Sequence, residues 1–125
     1  MTVLGRRPRG RSETAVGPIR HTLGLGGVDL RFADMRGFDL EGAWLSRSNL
    51  EHAELERANL RGASLWKADL RSALLVEADL RGADLREANL AGAWLQGAWL
   101  AGVRIENTDL SGANTEGARY DDSGD

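Results

Sequence analysis

The chain has 125 residues, a formal net charge of −3 and 42% apolar residues, with 16 glycines, two prolines and no cysteine. That length suits a single domain. No apolar run approaches the roughly 20 residues of a membrane-spanning helix, and the missing thiols exclude a disulfide framework and a cysteine nucleophile. Only His21 and His52 can supply imidazole, which disfavours most metal and acid–base chemistry, and no cofactor motif is present.

Charge is unevenly placed along the chain. Residues 1–22 carry Arg6, Arg7, Arg9, Arg11 and Arg20 against Glu13 alone, together with both prolines, and read as a flexible basic arm. Arg6-Arg7 resembles a twin-arginine export signal, but no apolar stretch of about 7–15 residues follows, so a cytoplasmic protein is expected. Such an arm could touch nucleic-acid phosphates or an anionic membrane surface, and five arginines suffice for only a few such contacts.

From Val28 to Asp122 the chain repeats every five residues. The third position is Leu in 15 of 19 pentads, with Met35, Ile105, Thr115 and Tyr120 as exceptions. The first position is Ala in 14, the second Asp or Asn in 11, and the fifth Gly in 9. Leu23 to Gly27 forms a degenerate further copy, and the polar residues 123–125 end the chain as a tail.

A period of five matches neither helix nor straight strand. On a helix at about 100° per residue the leucines would spread around the cylinder. On a strand, alternate leucines would point to opposite faces. If the chain instead turns after each short extended leg, every leucine can point to one axis. The alanine two residues earlier then lies on the same side, because residues i and i+2 of an extended leg share a face. Gly62, Gly82, Gly92 and Gly102 suit tight turns that need positive φ. Asp or Asn at the second position can bond nearby backbone. Stacked coils of this kind make a solenoid, in which each layer buries its apolar edge against its neighbours.

The motif in Ala58-Asn59-Leu60-Arg61-Gly62, Ala68-Asp69-Leu70-Arg71-Ser72 and Ala78-Asp79-Leu80-Arg81-Gly82 resembles the pentapeptide repeat family. That resemblance implies an all-β fold: a right-handed quadrilateral parallel β-helix over 23–122, whose nineteen regular pentads from 28 to 122 make about 4.75 coils of four pentads each. Its core ladder would be Leu40, Leu50, Leu60, Leu70, Leu80, Leu90 and Leu100.

Four pentads per coil set every fourth pentad on one side. Asp29, Asn49, Asp69, Asn89 and Asp109 then form an outward ladder, read as turn-stabilising residues rather than a cation site. Leu74 and Trp94 stack on one side beside Val76, with Trp99 around the next corner; Trp44 and Trp66 lie diagonally on the opposite side. Exposed tryptophans favour interfaces, so these six residues are the candidate surface for an unidentified protein partner or for self-association. At the ends, Phe32, Phe38 and the segment from Ile19 to Leu25 are expected to cover the first coil, and Tyr120 to act as a partial lid on the last.

No catalytic constellation emerges, and neither histidine has a nucleophile or ligand set spaced around it. The expected function is a non-enzymatic interaction or scaffold module. The resemblance also implies an alternative, since some relatives mimic duplex DNA, bind DNA gyrase and other type II topoisomerases, and protect against their inhibitors. Arg61, Arg71, Arg81 and Arg86 dilute the acidic faces that such mimicry needs.

Overall fold

The computed structural model describes residues 24–121. The expected arm over 1–22, with Ile19 and His21, and the tail 123–125 lie outside the described residues.

Each pentad is a short leg closed by a turn. The first residue donates its N–H to the carbonyl of the third residue of the preceding pentad, as Ala63 does to Leu60 at 3.0 Å and Ala68 to Leu65 at 2.9 Å. The fourth and fifth residues form the bend between them. Every fifth position from Gly27 to Gly117 has positive φ, while no fourth position does, which is the pattern of a type II turn. Nine of these left-handed residues are not glycine, including Phe32, His52, Arg57 and Glu87. The turn is therefore imposed by the coil and not by glycine alone.

What imposes it is the ladder between coils. Parallel bridges join second-position residues twenty apart, from Gly24 and Trp44 through to Trp99 and Arg119, so four legs complete one coil. Each leg in the middle of the rod ties to its neighbouring coils at three points. Leu60 donates to the Asp79 carbonyl at 2.8 Å, Asp79 donates back to Ala58 at 3.0 Å, and Gly62 donates to Arg81 at 3.0 Å. Only a left-handed fifth residue aims its N–H along the axis in this way. Pairing is thus one residue deep per leg, with no long strand anywhere among the described residues.

First and third residues point inward, as expected. Leu40, Leu50, Leu60, Leu70, Leu80 and Leu90 are fully enclosed, as are Ala53, Ala63 and Ala73. Met35 and Phe38 fill the early layers in place of Leu and Ala. The buried Ser48 satisfies its hydroxyl by donating to the Leu45 carbonyl at 2.6 Å.

The ends depart from expectation. Phe38 is core, with Leu25 packed partly buried against it, but Phe32 covers nothing: it is 67% exposed on a corner and stacks on His52, ring centroids 5.0 Å apart. Its fifth position explains this, because left-handed turn residues project outward. At the other end Leu100 is only half-buried, and Ile105 is 50% exposed. Tyr120, 65% exposed, walls a cavity of about 170 Å³ at this end with Leu95, Val103, Ile105 and Leu110. No described coil stacks beyond these residues, so their inward side chains have neighbours on one side only.

Candidate interaction surface

The outward residues begin with the second position. Its Asp or Asn oxygen accepts the backbone N–H two residues on, as in Asp29 to Arg31, Asn49 to Glu51 and Asn89 to Ala91. This is the turn-stabilising role expected of the ladder. Where Arg follows at the fourth position, a second interaction is added. Asp29–Arg31, Asp34–Arg36, Asp69–Arg71, Asp79–Arg81 and Asp84–Arg86 each form a two-pronged pair, with Nε on Oδ1 and Nη2 on Oδ2 at 2.6–2.9 Å. The geometry follows from the leg, since second and fourth residues share a face, and guanidinium matches carboxylate in a planar fork.

These forks hold the carboxyls in their charged form. The Arg31 side chain, aided by its backbone N–H, lowers Asp29 to about 2. Hydrogen bonds from Arg71 and Arg86 likewise lower Asp69 and Asp84. For Asp79, burial pushes upward, and the Arg81 hydrogen bonds more than offset it. Sequence reasoning missed these pairs, although the recurring Asp-x-Arg triplet was a sufficient signal.

The apolar candidates divide into two kinds. Trp44 and Trp94 are open to solvent, 58% and 48% exposed. Trp66 and Trp99 are half-buried, and cations occupy their rings. Arg47 and Lys67 lie 4.9 and 4.7 Å from the Trp66 ring, and Arg81 and Arg119 lie 4.9 and 4.2 Å from the Trp99 ring. Leu74 and Trp94 are direct bridge partners in adjacent coils, with the half-buried Val76 on the same leg as Leu74. The structure therefore unites Leu74, Val76 and Trp94 on one face and sets Trp99 on the next, with Trp44 and Trp66 on the side opposite. Trp44 and Trp66 do not stack together: Trp44 leans over Gly26 instead, near enough that a Cβ there would meet its ring at 3.7 Å.

Nothing on these faces gathers reacting groups. Among the described residues no group of three or more His, Cys, Asp or Glu is placed to hold a metal ion. No helix there is long and apolar enough to cross a membrane. His52 stacks on Phe32 and sets its Nε2 4.0 Å from a Glu51 oxygen. The arrangement offers flat, ruled faces built from ladders of side chains.

Fold and surface together define a class: a parallel β-helical solenoid of five-residue legs, twenty residues to the coil. The family model for pentapeptide repeats matches residues 25–62 and 63–100, and the chain belongs to that family. Among solved structures it is similar to HetL, a pentapeptide repeat protein involved in heterocyst differentiation regulation in the cyanobacterium Nostoc, with 37% identity and a TM-score of 0.59. That match covers 72% of this chain and 39% of HetL, so the chain spans well under half of that relative. It is also similar to a pentapeptide repeat protein of the Arabidopsis thaliana thylakoid lumen, with 35% identity, a TM-score of 0.56, and coverage of 89% and 70% of the two chains. QnrB1, a plasmid-mediated fluoroquinolone resistance protein, matches at 22% identity and a TM-score of 0.38 over 74% of this chain and 60% of that one, a likeness of repeat alone. No curated protein matches.

Proposed function

We propose that this chain is a non-enzymatic protein–protein interaction or scaffold module, a right-handed quadrilateral rod over 23–122 whose nineteen regular pentads, 28–122, make about 4.75 coils, preceded by a basic arm. At ~4.8 Å per coil the rod is ~23 Å long. One observation carries the reading: Leu74 and Trp94 occupy outward second positions in adjacent coils, where Asp or Asn is usual, and they bridge directly. Trp94 leaves its indole open, and no packing need of the core explains an apolar pair there. At the centre of that face stand apolar side chains where catalysis would need a positioned acid, base or nucleophile.

Topoisomerase binding by DNA mimicry receives less support. It calls for rows of free carboxylates, and Asp29, Asp34, Asp69, Asp79 and Asp84 are each forked by an arginine. The test of the main reading replaces Leu74, Trp94 and Trp99 by Ser. Loss of self-association in sedimentation velocity, or of a co-purifying partner, is expected. Unchanged sedimentation and unchanged capture would remove the patch from consideration.

A further inference from the structure

The face that carries Leu74, Val76 and Trp94 is also the most acidic of the four. With its trailing corner it holds Asp34, Glu54, Glu56, Glu77 and Glu116 against Arg36 and Arg57. The opposite face, which carries Trp44 and Trp66, holds Arg47, Lys67, Arg86 and Arg104 against Asp84, Glu87 and Glu106.

The five acids are not equivalent. Arg36 lies 2.8 Å from Asp34 and 3.3 Å from Glu54, and Arg57 lies 3.0 Å from Glu77. Glu56 and Glu116 have no ion pair among the described residues. They belong to one fourth-position column, Arg36, Glu56, Val76, Gln96 and Glu116, in which Arg36 is engaged by Asp34 and Glu54 and feels the charge of Glu56 from the adjacent coil. From Glu56 on, the carbonyls of that column accept in turn from Gly37, Arg57, Glu77 and Gly97. Three coil steps of ~4.8 Å set the two carboxylates roughly 14 Å apart. Leu74, Val76 and Trp94 fill the space between them.

A second observation concerns the same column. Oε1 of Glu56 and Oε1 of Gln96, above and below Val76, are closed off from solvent and accept no hydrogen bond. Enclosed acceptors without a donor are rare in folded proteins. Rotation about the last side-chain bond exchanges Oε1 with Oε2 in Glu56 and with Nε2 in Gln96, so one polar atom of each faces outward whichever way the group is turned. The column therefore offers the Glu56 carboxylate and the Gln96 amide, each with one enclosed acceptor, and the exposed Glu116 carboxylate, with Val76 among them. Lys and Arg side chains are donors only and carry the complementary charge.

We infer that this face docks a cationic amphipathic segment of a protein partner. Its apolar side chains lie on Leu74, Val76 and Trp94, and its Lys or Arg heads reach Glu56, Gln96 and Glu116. A helix spans the roughly 14 Å between the two carboxylates in about nine residues, so the basic residues flank two to three turns of apolar stripe. Nucleic acid and anionic membrane carry the wrong sign for this face. The inference rests on the reading of Leu74 and Trp94 as an interaction surface and adds the chemistry of what binds there.

The test uses the full chain and a labelled helical peptide of about fifteen residues built from Leu and Lys at amphipathic spacing, beside its counterpart with Glu in place of Lys. Anisotropy is read at low and at physiological salt. The Lys peptide should bind and the Glu peptide should not. Glu56→Gln with Glu116→Gln should weaken the Lys peptide by about tenfold, while Glu106→Gln with Glu87→Gln, the same charge removed from the opposite face, should leave it within about twofold. Leu74→Ser with Trp94→Ser should abolish binding. Equal weakening by both charge pairs would reduce the effect to general attraction and overturn the inference. Equal binding of both peptides, still lost in the Leu74 and Trp94 variant, would overturn the cationic preference and leave the interaction surface standing. Binding indifferent to Leu74 and Trp94 would remove both.

Discussion

The fifth residue of each leg fixes the path of the chain, and its cost can be isolated. At Gly62, φ is +66° and a Cβ would meet nothing within 4 Å. Gly62→Ala therefore changes backbone preference without a clash, and should destabilise by about 1 kcal/mol net of the reduced freedom of the unfolded chain. Urea unfolding measures it, and a neutral result would mean that the turn tolerates side chains freely. Inward leucines are a different case. Leu70 is fully enclosed, and Leu70→Ala should cost about 2–5 kcal/mol, because removed methylenes leave a cavity that stacked coils cannot easily collapse into. The same substitution at Leu110, half-open at the end of the rod, should cost well under half of that.

At the scale of the leg, the Asp-x-Arg fork links the fold to pH. Asp29 titrates at about 2 instead of its ordinary 3.8, and Asp69, Asp79 and Asp84 are lowered as well. A lowered folded pKa means that the unfolded chain takes up protons first as the solution is acidified. The contribution of the forks is complete above about pH 4 and is lost as pH falls toward about 2. Urea midpoints should therefore be level from neutrality down to about pH 5 and then fall. Arg81→Gln together with Arg86→Gln should flatten part of that fall. A midpoint unchanged down to about pH 2 would contradict the forks. The triplets were legible in the sequence, yet their arginines read as mere dilution of negative charge. Seeing them as partners requires applying the shared face of residues i and i+2 to the outward side of the leg as well as to its Leu and Ala.

For the whole molecule, stability should grade along the rod. Leu60, Leu65 and Leu70 each donate their N–H to the next coil at 2.7–2.8 Å, whereas Ile105, Leu110, Thr115 and Tyr120 have no such acceptor among the described residues. Hydrogen exchange should be faster at those four amides by roughly a hundredfold or more. Uniform protection from Leu60 to Tyr120 would show that the last coil is covered.

The five-residue period by itself determined the coil, because only a chain turning at every leg can bring leucines at odd spacing to a common axis. It also determined which positions point inward and which side each tryptophan occupies, once four legs make a coil, although Leu100, Ile105 and Leu110 lack a coil beyond them to complete their burial. Phe32 was misplaced because the covering of an end depends on where a particular side chain points, and no periodicity encodes that. The tertiary structure alone decided that cations occupy Trp66 and Trp99 while Trp44 and Trp94 stay open. It also decided that Glu56 and Gln96 keep enclosed oxygens without donors. Those outcomes are set by side-chain reach between coils twenty residues apart, a distance over which sequence order carries no geometric information until the coils are stacked.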